Sequence, residues 1–291
     1  MSQFNQIAVF GEVLFDLFPE GEAILGGAPF NVAWHLQALG DQPHFMSRIG
    51  KDDYGQQIRQ AMQEWQLSDR SLQLDSVLPT GQVAIRMIDN EPRYDIKANV
   101  AFDFIDNSQL PTLDAHSVLY HGTLALRHAV SAGTLQDLIT SSRCNVFVDV
   151  NLRDPWWNKR DCYQALEAAD WVKLNHHEIH MLGFASADLR QDMTRLQSNF
   201  QLKHLIVTLG ADGVIVRTNE GNFIEMPAVK PDTFVDSVGA GDAFSAMYIH
   251  GLAADWPLEQ IVERAQVFAS RVISERGALI HDRGFYQSLD V

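Results

Sequence analysis

The run Asp236-Ser237-Val238-Gly239-Ala240-Gly241-Asp242-Ala243-Phe244 holds the chain's most pointed chemistry. After it, Phe244, Met247, Tyr248, Gly251 and Leu252 fall at i, i+3, i+4, i+7 and i+8, one face of a helix. Gly239, Ala240 and Gly241 are therefore predicted at a helix N-terminus, where free N–H groups and the macrodipole suit an anion. Their small size lets the backbone approach a phosphate closely. Asp242 has no anion-binding logic there. It makes sense as the acceptor of a proton from a hydroxyl while the amides hold a phosphoryl group. Alone, the segment also reads as an ordinary glycine turn with an acidic residue in the first helical turn.

A second glycine site, Gly26-Gly27-Ala28-Pro29-Phe30-Asn31-Val32-Ala33, also opens a helix, and its Pro and Asn are ordinary start signals. Asp16, just upstream, could hydrogen-bond polyol hydroxyls, although an isolated Asp is more often a solvated charge. Other motifs fail. His176-His177-Glu178-Ile179-His180 lacks the spacing of a His-Glu-x-x-His zinc site. Neither Gly-x-x-x-x-Gly-Lys-Ser/Thr nor a Gly-x-Gly-x-x-Gly after the first strand is present, which counts against the P-loop and dinucleotide readings. Trp156-Trp157 reads as packing.

The elements that must position these residues alternate. Ile7–Phe10, His44–Ser47, Val118–Tyr120, Val146–Val150, Trp171–Leu174 and Leu205–Leu209 read as strands, several apolar throughout. Such runs are expected where helices cover both faces of a parallel sheet. Helical stretches lie between them, including Asn31–Leu39, Tyr54–Trp65, Ala132–Ser141 and Ala187–Asn199. The expected fold is α/β, a doubly wound, mostly parallel sheet flanked by helices. Two segments break the alternation. Residues 11–25 carry Val13, Phe15 and Leu17 at period two before Pro19-Glu20-Gly21, and residues 80–104 read as strands with a turn at Asp89-Asn90-Glu91-Pro92. Together they are read as a small β-sheet lid beside a single domain spanning residues 1–291, with two ordinary edge strands as the alternative. Polar residues follow each core strand, and ligands of open α/β sheets bind outside those carboxyl ends.

The 291 residues carry 22 Lys plus Arg against 37 Asp plus Glu, a net charge of −15 that argues against nucleic acid. The 46% hydrophobic and 20% charged composition belongs to a packed protein, not a disordered one. The longest uncharged run, Ala23–Gly40, is broken by Gly, Pro, Asn, His and Gln, so no membrane span is expected. The start MSQFNQIAVFGEVLF lacks a basic opening and a small-residue cleavage site. Two cysteines, Cys144 and Cys162, without Cys-x-x-Cys spacing suit a reducing cytoplasm.

Taken together, Gly-Ala-Gly-Asp opening a late helix, Gly-Gly-Ala-Pro-x-Asn-Val-Ala near the start and Arg48-Ile49-Gly50-x-Asp52-x-x-Gly55 resemble the ribokinase/PfkB carbohydrate kinases. Asn175-x-x-Glu178, Thr208-x-Gly210-x-x-Gly213 and Gly277-Ala278 fit the same family, so the likeness runs from about Gly11 to Ala278. Gly11-Glu12 with Asp16, and Asp149-Val150-Asn151-Leu152-Arg153, look most like fructokinases. The resemblance implies an ATP-dependent sugar kinase, with fructose giving fructose 6-phosphate as the first expectation. Another sugar, a sugar acid such as 2-keto-3-deoxygluconate, or a nucleoside is the rival substrate. A non-catalytic nucleotide- or sugar-binding regulator and a dinucleotide-binding oxidoreductase are more distant alternatives.

By the same resemblance, Asp242 is the catalytic base and Gly239, Ala240 and Gly241 the anion hole. Asp16, Gly27, Asn31 and Arg153 would contact the sugar or the transferring phosphate. Thr208, Gly210, Gly213 and Gly277 would line the nucleotide site. Asn175 and Glu178 would help position hydrated magnesium (Mg2+), and Asp236 lies where some members hold a monovalent cation such as K+. Ser237 replaces the commoner Thr, Gln266 stands where Asn often sits near the nucleotide, and the Asp16–Gly26 stretch is short for a fructokinase. Kinases of this kind often pair through their lids, so a homodimer is expected.

Overall fold

The computed structural model describes residues 4–88, 91–231 and 233–289. β1 (Gln6–Phe10) is followed by the short strands β2 (Leu14–Leu17) and β3 (Ala23–Gly26) and by helix α1 (Ala28–Leu39). Next come β4 (His44–Gly50), α2 (Asp53–Trp65), β5 (Leu72–Asp75), β6 (Gly81–Ile88) and β7 (Glu91–Ile96). The chain continues through β8 (Ser117–His121), α3 (Ala129–Ser142), β9 (Asn145–Asp149), α4 (Lys159–Glu167) and β10 (Trp171–Asn175). It then runs through α5 (His176–Met181), α6 (Leu189–Phe200), β11 (His204–Thr208), β12 (Val214–Thr218) and β13 (Phe223–Met226). Helices α7 (Ala240–Ala253) and α8 (Leu258–Val272) follow.

Among the described residues, nine strands form one sheet in the order β13-β12-β11-β10-β9-β8-β1-β4-β5. It is parallel from β5 through β11 and antiparallel only at β12 and β13. Side chains alternate across it. Ile7 and Val9 face the core shared with α1, α2, α7 and α8, while Ala8 and Phe10 face the core built with α3, α4 and α6. Both faces are thus covered, which is why these strands read as unbroken apolar runs. The order departs in opposite directions from β1, to β4 on one side and β8 on the other. Such a switch point opens a crevice at the carboxyl ends.

A four-stranded sheet, β3-β2-β6-β7, stands beside the large one; β2 and β6 run parallel, so it is mixed. Its β2–β3 hairpin is short, two four-residue strands closed where Gly21 takes φ +90°. The turn expected at Asp89-Asn90-Glu91-Pro92 centres on residues 89 and 90, which lie outside the described residues.

Some expectations need correction. Ala101–Phe104 is a 3-10 turn, not a strand, because the Asp103 amide donates to the Val100 carbonyl while the Asp103 carboxylate accepts from the Val100 amide, closing the chain on itself. Val150 and Leu209 lie past their strands, at the edge where the chain turns toward the site. The helix expected from Ala187 starts at Leu189, since the Asp188 side chain caps it by accepting from the Arg190 and Gln191 amides. The four-residue β5 and the antiparallel β12–β13 pair carried too little pattern to be read beforehand.

Candidate active site

Gly239 caps α7 in the left-handed region, φ +80°, and a Cβ there would lie 2.4 Å from the Cβ of Ala278. Only glycine fits both the angle and the space. The helical ladder begins with the Ala243 amide donating to the Gly239 carbonyl, so the amides before it point out of the helix end; that of Ala240 leans on the Ser237 carbonyl at 3.4 Å. Asp242 sits in this first turn, half-buried, and its Oδ2 accepts from Nδ2 of Asn31 at 2.7 Å. Burial is the main reason its pKa rises to about 6, helped by the Asp149 charge and opposed by Asn31, Lys173 and Arg153.

Asn31 reaches Asp242 because α1 starts against β1. Gly27 caps α1 at φ +111°, and a Cβ on it would meet the Glu12 carbonyl oxygen at 2.9 Å. A Cβ on Gly11 would strike the Pro29 ring at 2.5 Å. The two glycine-containing segments therefore interlock, and Asn31, 4% exposed, projects from the first turn of α1 toward α7. Its Oδ1 is buried with no partner.

Beneath the α7 N-terminus lies a network that the sequence reading missed. Lys173 and Asp149 are register partners on β10 and β9, so both face α7. Lys173 Nζ donates to Asp149 Oδ2 at 2.7 Å, with both side chains under one-tenth exposed. Ser245 Oγ donates to the same oxygen at 2.9 Å, and the Tyr120 hydroxyl approaches it at 3.4 Å. A Cβ on Gly241 would lie 3.3 Å from Lys173 Nζ. The detectable signal was one Lys in an otherwise apolar strand.

Around the crevice the charges converge. Arg153, exposed on the loop after β9, acts on Glu12, Asp16 and Asp242 together. Burial raises Asp16 to about 6 and Glu12 to about 7, with Arg153 opposing both shifts. Glu12 Oε2 is buried without a partner. A recess of about 400 Å³ opens where Leu17, Gln82 and Ala84 of the small sheet, with Lys97 just past β7, face Trp156. Arg127 stacks on Trp156 at 4.4 Å, pairs with buried Asp103 through two bonds of 2.6 and 2.9 Å, and donates to the Lys97 carbonyl.

Asn175 and Glu178 form a capping box at the start of α5. Asn175 Oδ1 accepts from the His177 and Glu178 amides, while Glu178 accepts from Leu152 N through Oε1 and Asn175 N through Oε2, each at 2.8 Å. The pair braces the loop carrying Arg153 against the end of β10. With these oxygens committed to amides, the set fits magnesium that keeps its water shell, not an ion stripped onto the carboxylate. Asp236 Oδ1 accepts from the Val238 amide at 3.0 Å, and its own amide donates to Ile273. Among the described residues no three His, Cys, Asp or Glu side chains group as a metal-binding cluster.

On the other side, Thr208 ends β11, and Gly210 and Gly213 turn the chain at φ +60° and +106°. A Cβ on Gly213 would lie 2.1 Å from the Met226 carbonyl, and Gln266 of α8 reaches the neighbouring Pro227 carbonyl at 3.4 Å. Gly277, φ +77°, has open space beside it, and the adjoining Ala278 touches Gly239. Arg276 pairs with Glu22 at 2.7 Å, tying this segment to the small-sheet hairpin.

Arg48-Ile49-Gly50-x-Asp52-x-x-Gly55 builds a joint. Asp52 caps α2 through the Gly55 amide and also accepts from both Thr80 N and Thr80 Oγ1, at 2.8 and 2.6 Å. It anchors the point where β6 leaves for the small sheet.

The profile of pfkB family carbohydrate kinases matches residues 7–282. A fructokinase of Klebsiella pneumoniae is 32% identical over 264 residues, covering 86% of this chain and 85% of that one. An aminoimidazole riboside kinase of Salmonella typhimurium is 27% identical over 300 residues, covering 96% and 92%. Among solved structures, the fructokinase of Vibrio cholerae O395 in its fructose, ADP and calcium ion bound form superposes with a TM-score of 0.85 at 23% identity, covering 99% of each chain. Aminoimidazole riboside kinase from Salmonella enterica, complexed with aminoimidazole riboside and an ATP analog, gives 0.84 at 25% identity, covering 98% and 99%. No helix among the described residues is long and apolar enough to cross a membrane.

Proposed function

We propose, for a chain that belongs to the pfkB family of carbohydrate kinases, that it transfers the γ-phosphoryl group of ATP to a sugar hydroxyl, fructose giving fructose 6-phosphate. The observation that carries this reading is Asp242, half-buried in the first turn of α7 beside Gly239–Gly241 and bonded to Asn31. With a pKa near 6 it is mostly ionised at neutral pH yet basic enough to take a proton as the sugar oxygen attacks phosphorus. The α7 amides would hold the phosphoryl oxygens as charge develops on them. Asn31, Asp16 and Gly27 would orient the sugar, and Arg153 would balance the charge of the group in transit. The segments around Thr208–Gly213 and Gly277 would hold the nucleotide. Magnesium, when bound, supplies charge neutralisation of the triphosphate, with Asn175 and Glu178 meeting its water shell. Asp236 is the residue we assign to a monovalent cation such as K+.

Fructose is favoured by the fructokinase relatives. A riboside is the second reading, because a riboside kinase is also related over nearly the whole chain. A coupled ADP-release assay over sugars, sugar acids such as 2-keto-3-deoxygluconate, and nucleosides tests both. Fructose is expected to give the highest kcat/KM. ADP release stimulated by none of them would sink the kinase reading in favour of a binding protein.

A further inference from the structure

We propose that Lys173 is a positioning residue whose buried ammonium supplies the positive charge under the α7 anion hole. It deepens the kinase reading above and rests on it. A lysine inside a strand between two packed layers is costly unless something uses its charge. Its neighbours along β10, Trp171, Val172 and Leu174, are all buried and apolar, and only the terminal Asn175 is polar and exposed. Asp149 neutralises Lys173, yet its Oδ2 also takes Ser245 and Tyr120, so it is not an exclusive partner.

The geometry directs the ammonium upward. Nζ approaches Gly241 so closely that a side chain there would crowd it at 3.3 Å. Ser245 ties the same network to the helix start, its one hydroxyl proton shared between Asp149 Oδ2 at 2.9 Å and the Gly241 carbonyl at 3.1 Å. Strand register, helix start and ammonium thus form one unit below Gly239–Gly241. Phosphoryl transfer is driven mainly by positioning and electrostatic stabilisation, and a fixed cation in a dry site acts strongly there. Asp242 lies in the same field, pulled down by Lys173 and Arg153 and pushed up by Asp149.

Lys173→Met alone would leave Asp149 charged and unpaired, so the deciding variant is Lys173→Met with Asp149→Asn. Replacing both members of a buried pair is often close to neutral for stability, and a thermal melt checks this. The folded double variant is expected to lose about 10²-fold in kcat, with KM for the sugar little changed. Its affinity for a non-hydrolysable ATP analogue relative to ADP should fall about tenfold, because the cation acts on the γ-phosphoryl group. The single variants should move the acid limb of the rate profile oppositely, alkaline for Lys173→Met and acid for Asp149→Asn. A merely structural pair would leave the analogue-to-ADP ratio unmoved. A double variant with wild-type kcat and an unchanged analogue-to-ADP ratio would overturn the proposal. The affinity ratio reads Lys173 even if no sugar is turned over by the wild type, so failure of the kinase reading is seen separately.

Discussion

Asn31 donates to Asp242 at 2.7 Å although 211 positions separate them in the chain. The early glycine segment and the late one are therefore two halves of one device. Asn31 helps to hold Asp242 ionised, since its bond lowers the carboxyl pKa that burial raises. Replacing Asn31 with Ala should move the acid limb of kcat up by about one unit, the scale of one hydrogen bond to a charged group. Rates at saturating sugar between pH 5 and 8 check this, and an unmoved limb would separate Asn31 from the base.

Asp242→Asn should lower kcat by about 10²–10⁴-fold, the usual worth of a general base, while sugar binding is largely kept. In the wild type the rate should climb as pH rises through about 6, because the base works ionised. Turnover near the wild-type level in the variant would remove Asp242 from the chemistry.

Gly239→Ala tests the seat of the anion hole. The new Cβ would sit 2.4 Å from that of Ala278 at a φ of +80°. A loss of about 1–3 kcal/mol in urea unfolding is expected from backbone strain, with a larger loss of rate, since α7 and the Ala278 segment must part.

Glu12 gives a prediction about stability. Its pKa in the folded protein is about 7, above the ordinary 4.5, mainly because of burial. Its stabilising contribution is complete below the ordinary value and is lost as pH rises through about 7. The difference in Tm between Glu12→Gln and wild type should therefore shift in favour of the variant from pH 5 to pH 8. A pH-independent difference would mean that Glu12 is not protonated more readily when folded.

A homodimer through the small sheet is also expected. β3 and β7 are its edge strands, and exposed edges are normally covered. Tyr94 on β7 is 58% exposed. Light scattering at micromolar concentration should give twice the chain mass, and a monomer mass would count against pairing.

How far the sequence revealed this site depended on distance along the chain. Gly239–Asp242 could be read because a glycine turn and a helical stripe are adjacent in sequence. The parallel core could be read because burial on both faces leaves unbroken apolar runs. Lys173 and Asp149 could not be paired in advance, since they are 24 positions apart and meet only through the β9–β10 register. Gly50–Gly55 was legible as a pattern but not as a joint, because Asp52 finds Thr80 28 positions later. Glu178 pointed to hydrated magnesium by resemblance, and the fold adds a task the motif did not announce, since its oxygens also accept the Leu152 and Asn175 amides and brace the loop between them.

The Glu22–Arg276 pair, exposed on both partners, joins the small-sheet hairpin to the chain leading into Gly277. Such a contact contributes about 0–1 kcal/mol and is weakened by dissolved ions. Raising the ionic strength therefore loosens this tie between the hairpin and the segment that packs on Gly239 by at most about fivefold.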